Sequence, residues 1–184
     1  MGLQMGSKRL DIVRQLVPTA TKVTMLVNPK FPTVPGEVRD MQDAARSLGV
    51  QIDVLNASTE AEIDAAFRVM AQGRTDALVV ATDPFLLAQR DQLVRLAAQH
   101  KIPTIYFLRE FADAGGLISY GPNIANGYQQ TGVYAGQILR GANPATLPVL
   151  QPTHFVLLLN LKAAKALNLT VTDKLLALAD EVIE

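Results

Sequence analysis

Two patterns of hydrophobic and polar residues alternate along most of the chain, one typical of buried strands and one typical of amphipathic helices. Short, continuous apolar runs, such as those at 22–29 and 76–83, have the length and the aliphatic content of buried strands. Between these runs, apolar residues recur every three or four positions, as on the amphipathic helix predicted at 36–48. Strands that alternate with such helices favour βαβ units and a largely parallel sheet, and continuous apolar strands indicate that helices cover both of its faces.

The predicted elements place the chain in the α/β class, as a three-layer parallel sheet of Rossmann-like or flavodoxin-like type. Glycines bound several of the elements; Gly49 and Gly73, for example, each follow a helical stripe. Besides 22–29 and 76–83, strands are predicted at 51–57, 102–107, 117–121 and 154–160. Helices are predicted at 8–16, 36–48, 58–73, 84–101, 109–116, 124–140 and 162–167, and from Thr172 through Val182.

Composition narrows the functions that such a fold can serve. The 184 residues are 49% hydrophobic, which is enough for a packed core, and 17 basic residues balance 17 acidic ones. Because there is neither a cationic excess nor a basic cluster, nucleic acid is not expected as the main partner. The sequence contains no cysteine, which excludes disulfides, thiolate catalysis and Cys-ligated metals. No apolar run reaches the roughly 18–20 residues of a membrane span, and we expect no signal peptide in the first residues.

Polar and aromatic residues follow four of the predicted strands, in the stretches 28–31, 82–85, 106–110 and 119–121. In an open parallel sheet, ligands bind beyond the carboxyl ends of the strands and near helix N-termini. These residues should therefore meet at one edge of the sheet. The aromatic side chains expected there are those of Phe31, Phe85, Tyr106, Phe107 and Tyr120.

Asp83 stands where a buried strand passes into a helix, and its carboxylate has three possible roles. It can cap the helix, because Asp followed by Pro often begins one. It can also anchor a cationic ligand group, such as an α-amine, beside the hydroxyl of Thr82. A phosphoacceptor would need an acidic pair after the first strand and a lysine after a late one, but Asn28 and Tyr106 stand there. We expect one carboxylate oxygen to cap the helix and the other to face the ligand.

Three other residues at this edge each have two interpretations. Asn28 either forms a turn with the following proline or binds a ligand beside the next helix start, where a carboxylate is favoured. Arg109 either holds an anion or is a solvated surface residue, and its neighbour Glu110 favours the dipole of the short helix. Tyr120 either walls a pocket or is a core tyrosine at a strand end.

No catalytic or metal-binding arrangement is visible in the sequence. There is no nucleophile–base pair, glycine-rich phosphate loop or G-x-S-x-G elbow. His100 and His154 have no carboxylate at metal-ligand spacing on a shared helix face. We therefore predict a binding protein rather than an enzyme, with no cofactor and no metal.

Several motifs carry a resemblance to a known family. They are KRLDIVRQLVPTATKVTMLVNP, DALVVATDPF, IPTIYFLREFADAGGLISYGPN, GANPATLPVLQPTHFVLLLNLKAAKALNLT and LLALADEVIE. Their order resembles that of the substrate-binding proteins of ABC transporters over residues 8–184. The combination of R-E-F, A-G-G and S-Y-G-P-N with Q-P-T and N-L-K-x-A-K-x-L makes the resemblance specific. The chain is most similar to the branch near the tryptophan-binding (TrpX-like) proteins, which have a type I periplasmic-binding fold.

This resemblance implies a binding function outside the cytoplasm. Family members trap a small molecule in a cleft between two hinged lobes and deliver it to an ABC permease, in the periplasm or at the outer face of the membrane. The implied ligand is an aromatic or other amino acid, or a small carboxylate. The alternative is a sensor or effector domain of the same fold that regulates a partner. Position in the family implies cleft roles for Asn28, Thr82, Asp83, Tyr106, Ser119 and Tyr120, which with Phe31, Phe85 and Arg109 form the predicted ligand-binding set.

The resemblance also implies a division of the chain. Residues 8–118 would form the second, ligand-binding lobe, 119–150 would cross to the first lobe, and 151–184 would return as a strand and C-terminal helices. Most of the first lobe would then be absent from this sequence. The segment 124–140 would expose its apolar side, so we expect a homo-oligomer that buries Tyr128, Val133 and Tyr134.

Overall fold

The computed structural model describes residues 5–149 and 154–184. Its seven strands form one sheet. The strands are β1 (Lys22–Val27), β2 (Gln51–Asn56), β3 (Ala77–Val80), β4 (Thr104–Tyr106), β5 (Ile118–Pro122), β6 (Phe155–Asn160) and β7 (Glu181–Ile183). The helices are α1 (Met5–Leu16), α2 (Val34–Leu48), α3 (Glu60–Gly73), α4 (Pro84–Ala88), α5 (Arg90–Gln99), α6 (Arg109–Asp113), α7 (Ile124–Leu139), α8 (Leu161–Ala166) and α9 (Asp173–Leu178), with a 3₁₀ turn at Pro144–Thr146.

The sheet has the order β2-β1-β3-β4-β5-β6-β7, and each described neighbouring pair is parallel except β5 and β6. Strand residues alternate between two apolar cores. Met25 points to the core under α1, α2, α8 and α9, while Leu26 points to the core under α3, α4, α5 and α6. Side chains on both faces are buried because helices cover both faces. The predicted three-layer α/β class is therefore confirmed.

Two predicted helices differ from the structure. The helix expected at 84–101 is divided at Gln89, whose φ of −94° and ψ of 19° end α4 before α5 begins. The helix expected from Thr172 is present as α9, but it ends at Leu178, and the prediction that it extends through Val182 is wrong because Val182 lies in β7. The Asp180 carboxylate accepts a hydrogen bond from the Leu157 N–H (2.8 Å), and the Asp180 N–H donates to the Leu157 carbonyl (2.9 Å). These bonds align the chain end with β6, and sheet pairing outweighs the helical spacing of the leucines.

The predicted lobe boundaries can be located on this sheet. Residues 8–118 reach from α1 to the first residue of β5, and 119–149 include the rest of β5 and all of α7. Residues 154–184 return to the same sheet as β6 and β7. The boundary between 150 and 151, and the Q-P-T motif, lie outside the described residues. The division into lobes stays a prediction.

Helix α7 packs loosely on the rest of the molecule. None of its residues is buried, and the side chains of Tyr128 and Leu139 are 75% and 87% exposed. Tyr134 is half-buried, and its hydroxyl donates a hydrogen bond to the Pro148 carbonyl (2.6 Å). The expected exposure of the apolar side of 124–140 is therefore confirmed. Within the described residues, no helix is both long and apolar enough to cross a membrane.

Asp76 ties together the amino ends of β1 and β3. Its carboxylate accepts hydrogen bonds from the N–H groups of Thr21 (2.8 Å) and Lys22 (2.9 Å) and from the Thr21 hydroxyl (3.3 Å). Partial burial opposes ionisation, but these hydrogen bonds outweigh it and hold the pKa of Asp76 below its ordinary value.

We expect Asp76→Ala to lower the free energy of unfolding by about 1–2 kcal/mol at pH 7, because two strand-end N–H groups lose their acceptor. A lowered folded-state pKa stabilises the fold above the unfolded-state value of about 3.9 and is lost as the pH falls through the folded-state pKa. The difference between wild type and variant in urea unfolding should therefore shrink from pH 7 to pH 3. Asp76→Asn, which keeps an acceptor oxygen, is the control. An equal difference at both pH values would contradict this role.

Candidate functional site

The carboxyl ends of β1, β3, β4 and β5 meet at one edge of the sheet, and the amino end of β6 joins them because β6 is antiparallel to β5. A cavity of about 270 Å³ lies at this edge. Its walls are mostly apolar, and its polar members are Arg9 and Thr82. The lining residues are Met5, Arg9, Thr82, Phe107, Leu108, Pro122, Ile124 and Phe155.

Asp83 acts both as a helix cap and as a tie between two loops. Its Oδ1 accepts a hydrogen bond from the Leu86 N–H (2.8 Å), which begins α4. Its Oδ2 accepts from the Asn28 amide Nδ2 (3.1 Å), and the residue is 1% exposed. The predicted cap is therefore present. The second oxygen binds Asn28, so Asp83 joins the loops that follow β1 and β3.

Arg9 is the main member of this edge that the sequence reading missed. It is 1% exposed and lies on the inner face of α1. Its Nε donates to the Tyr120 carbonyl (3.1 Å), and its Nη1 donates to Glu37 Oε1 (3.1 Å) and Thr82 Oγ1 (3.3 Å). Its guanidinium carbon lies 6.0 Å from the centroid of the Phe107 ring. One side chain thus contacts α2, the segments that follow β3 and β4, and β5 itself.

Glu37, in the first turn of α2, completes this cluster. Its carboxylate accepts from the Thr82 N–H through both oxygens, each at 3.2 Å, and also from the Thr82 hydroxyl (3.3 Å). Burial raises the pKa of Glu37, and the opposing attraction of Arg9 and the Thr82 hydrogen bonds does not fully offset it. Burial also lowers the pKa of Arg9, but a guanidinium stays charged at neutral pH. The two polar residues of the cavity wall, Arg9 and Thr82, are therefore held by an ion pair with Glu37 whose donors and acceptors are largely satisfied.

Gly121 allows β5 to approach the segment after β4. A Cβ at this position would lie 1.8 Å from the Phe107 carbonyl oxygen and 2.8 Å from its carbonyl carbon. Both atoms belong to the main chain and cannot turn aside. The shape of the cavity between Phe107 and Pro122 therefore depends on glycine at 121.

The structure brings some of the predicted residues together and separates others. The strand ends that hydrogen bonds link together include Asn28, Thr82, Asp83 and the main chain of Tyr120. The Tyr120 ring is half-buried, 5.9 Å from the Phe155 ring, and burial raises the pKa of its hydroxyl. The remaining predicted residues are Phe31, Phe85, Tyr106, Arg109 and Ser119.

Tyr106 lies in the core, whereas Arg109 lies on the surface. Tyr106 is 1% exposed, stacks on Phe111 with centroids 4.6 Å apart, and burial strongly raises the pKa of its hydroxyl. Arg109 is exposed and pairs with Glu181 (3.0 Å) and Asp113 (3.3 Å). Ser119 is 2% exposed, and the half-buried rings of Phe31 and Phe85 pack against the two apolar cores.

A second, larger groove of about 610 Å³ lies between α1 and α2, away from the strand ends. Most of its lining residues are polar, and they include three aspartates, Asp11, Asp40 and Asp43. In the part of the chain that the structure describes, no group of three His, Asp or Glu side chains is placed to hold a metal ion. The smaller cavity at the sheet edge has the apolar walls that are typical of small-molecule sites.

Comparison with known proteins agrees with this architecture. A tyrosine-binding protein of Clostridioides difficile is 24% identical over 162 residues, which is 88% of this chain and 47% of that protein. A conserved domain protein from Vibrio cholerae has a similar structure, with 20% identity and a TM-score of 0.87 over 96% of this chain and 60% of that one. The structure of an ABC domain in complex with L-Trp, from Streptococcus pneumonia, gives 22% identity and a TM-score of 0.87 over 97% of this chain and 62% of that one. The chain thus spans about half the length of the tyrosine-binding protein.

The match to a family model covers almost the whole chain. The model for ABC transporter substrate binding proteins matches residues 3–183. This range contains every strand and every helix that the structure describes, and it confirms the resemblance seen in the sequence motifs. The proteins of this family are substrate-binding proteins and not enzymes. The chain therefore belongs to the family of ABC transporter substrate-binding proteins.

Proposed function

We propose that this chain is the ligand-binding part of the solute-binding component of an ABC importer, and that it works outside the cytoplasm with a permease as its partner. The ligand is a small molecule with an apolar group, either an aromatic or other amino acid or a small carboxylate. The cavity at the sheet edge carries the proposal, because apolar walls and a few fixed polar groups suit such a ligand. The relatives that bind tyrosine and L-Trp support the amino-acid class.

In this proposal the site residues have two kinds of role. Phe107, Phe155 and Ile124 contact the apolar group, and the hydroxyl of Thr82 marks the polar end. Asn28 and Asp83 hold two strand ends together through the hydrogen bond between them, and Asp83 and Ser119 are almost fully buried. Residues 8–118 act as the second, ligand-binding lobe, residues 119–150 cross to the first lobe and residues 151–184 return, and closure of the two lobes on the ligand completes the cleft.

Calorimetric titration with L-tyrosine, L-tryptophan, L-leucine and succinate tests the proposal. We expect one class to bind, and we expect Phe155→Ala to weaken that binding about tenfold, because a half-buried ring of the cavity is lost. Val69→Ala, at a 51% exposed valine on α3, is the matched control and should bind like the wild type. No heat with any of the four compounds at millimolar concentration, or equal affinity for wild type and Phe155→Ala, would contradict the proposed site.

We also propose that α7 mediates self-association of this chain. Its exposed apolar side chains include Tyr128, Val133 and Leu139, and exposed apolar side chains of this size favour burial against a second copy. In light scattering, we expect a mass above the 19.9 kDa of one chain that rises with concentration. Tyr128→Glu combined with Leu139→Glu should give a monomer, while Gln130→Glu on the same helix should not. A wild-type monomer at all concentrations would overturn this proposal.

A further inference from the structure

Arg9 connects four segments of the chain, three of which contribute residues to the cavity wall. Its guanidinium donates to the Tyr120 carbonyl in β5, to Glu37 in α2 and to the Thr82 hydroxyl after β3, and it also lies near the Phe107 ring after β4. Glu37 binds the N–H of the same threonine. Thr82 is therefore held through both its main chain and its side chain.

The geometry of these contacts suits a guanidinium better than an ammonium group. The three acceptors of Arg9 lie on different elements, and its planar group presents donors in fixed directions at Nε, Nη1 and Nη2. Lysine carries the same charge as a compact point and cannot form this fork. An arginine to lysine change would keep the ion pair with Glu37 while releasing part of the link to Thr82 and Tyr120.

Fold stability alone does not account for such a pair. Arg9 is 1% exposed and the Glu37 side chain is 14% exposed, so most of the hydration of both charges is lost. Replacing a buried ion pair by uncharged, well-packed side chains is often neutral for stability or favourable. The value of the pair then lies in fixing the relative positions of the groups that it joins.

We infer that Arg9 is a positioning residue for the cavity, with Glu37 as its counter-ion. The pair holds Thr82 and the end of β5 at the spacing that the ligand requires. Because the charges of Arg9 and Glu37 cancel, the pair adds no net charge beside the cavity. This inference rests on the proposed function for its ligand but not for its effect on the loops.

The test compares the wild type with Arg9→Lys and with the double variant Arg9→Met, Glu37→Gln. The amide in the double variant keeps an acceptor for the Thr82 N–H, and neither buried charge is left alone. We expect both variants to melt within a few degrees of the wild type and to bind L-tyrosine or L-tryptophan at least tenfold more weakly. We also expect faster amide hydrogen exchange at Thr82 and across 119–121, and unchanged exchange in β1 and β2.

A second arginine–acid pair provides the control. Arg46 and Asp43 form an ion pair on α2 whose side chains are 75% and 65% exposed. The combination Arg46→Met, Asp43→Asn should leave melting, exchange and affinity unchanged.

Four outcomes separate the possibilities. Weaker binding with preserved melting and local acceleration of exchange supports the inference. Wild-type affinity in the double variant overturns it, and so does a general loss of protection with a large fall in melting temperature in both variants, which would make the pair purely structural. If the wild type binds neither amino acid, the aromatic amino acids are excluded as ligands and exchange decides alone: acceleration confined to Thr82 and 119–121 supports the positioning role, and unchanged exchange overturns it.

Discussion

Gly121→Ala is expected to lower the free energy of unfolding by about 3 kcal/mol or more, at the upper end of the range for overpacked positions. The added Cβ would lie 1.8 Å from the Phe107 carbonyl oxygen, so β5 and the segment after β4 must move apart. Phe107 and Pro122 both line the cavity, and its walls would move with them. We therefore expect ligand binding to be lost together with stability. Urea unfolding measures the loss of stability.

Gly36→Ala is the matched control for this substitution. Gly36 lies in α2, and a Cβ there meets no atom within 4 Å. Alanine is favoured over glycine in a helix by about 0.5–1 kcal/mol, so this variant should be as stable as the wild type or more so. A Gly121→Ala variant that unfolds at the wild-type urea concentration would show that the two segments are farther apart than described here.

Asp83→Ala is expected to lower the free energy of unfolding by about 2–4 kcal/mol. Loss of the cap on α4 accounts for about 1 kcal/mol of this. The rest arises because the Asn28 amide loses its acceptor in a site where Asp83 is only 1% exposed, and an unpaired buried polar group costs about 1–3 kcal/mol. Thermal and urea unfolding should both show the change.

Asp83→Ser separates these two contributions. The serine hydroxyl can still cap the helix but is too short to serve Asn28 as well, so we expect about half of the loss. Asp83→Ala with a free energy of unfolding within about 0.5 kcal/mol of the wild type would contradict the double role. A selective effect on binding, with stability unchanged, would instead favour the direct ligand anchor that the sequence suggested.

The central strands of the fold could be predicted because their sequences are buried on both sides. Residues 77–80 are apolar throughout, and the structure buries all four. The cap at Asp83 could be predicted for a similarly local reason, since the side chain and the N–H that it binds are three residues apart. By contrast, β7 is three residues long and forms only because β6 is beside it. Local spacing alone favoured a helix there.

The site was less predictable because its contacts join distant parts of the chain. Arg9 contacts Thr82 across 73 positions and Tyr120 across 111 positions. The available signal was weak but present: Arg9 shares a helix face with Val13 and Leu16, and a charged residue on a buried stripe needs a partner. For Tyr106, the position could be predicted but the orientation of the side chain could not. Its position at a strand end was clear, but the direction of its ring, into the core against Phe111, depends on the register of the sheet.

The measurement that tests the binding site most directly is a two-dimensional ¹H–¹⁵N NMR titration of the chain with L-tyrosine and L-tryptophan. The account predicts saturable shifts at the amides of Thr82, Phe107, Leu108, Ile124 and Phe155, which surround the cavity at the sheet edge. Shifts confined to the polar groove between α1 and α2, around Asp11 and Asp40, would contradict it, as would an unchanged spectrum at saturating concentrations of both amino acids.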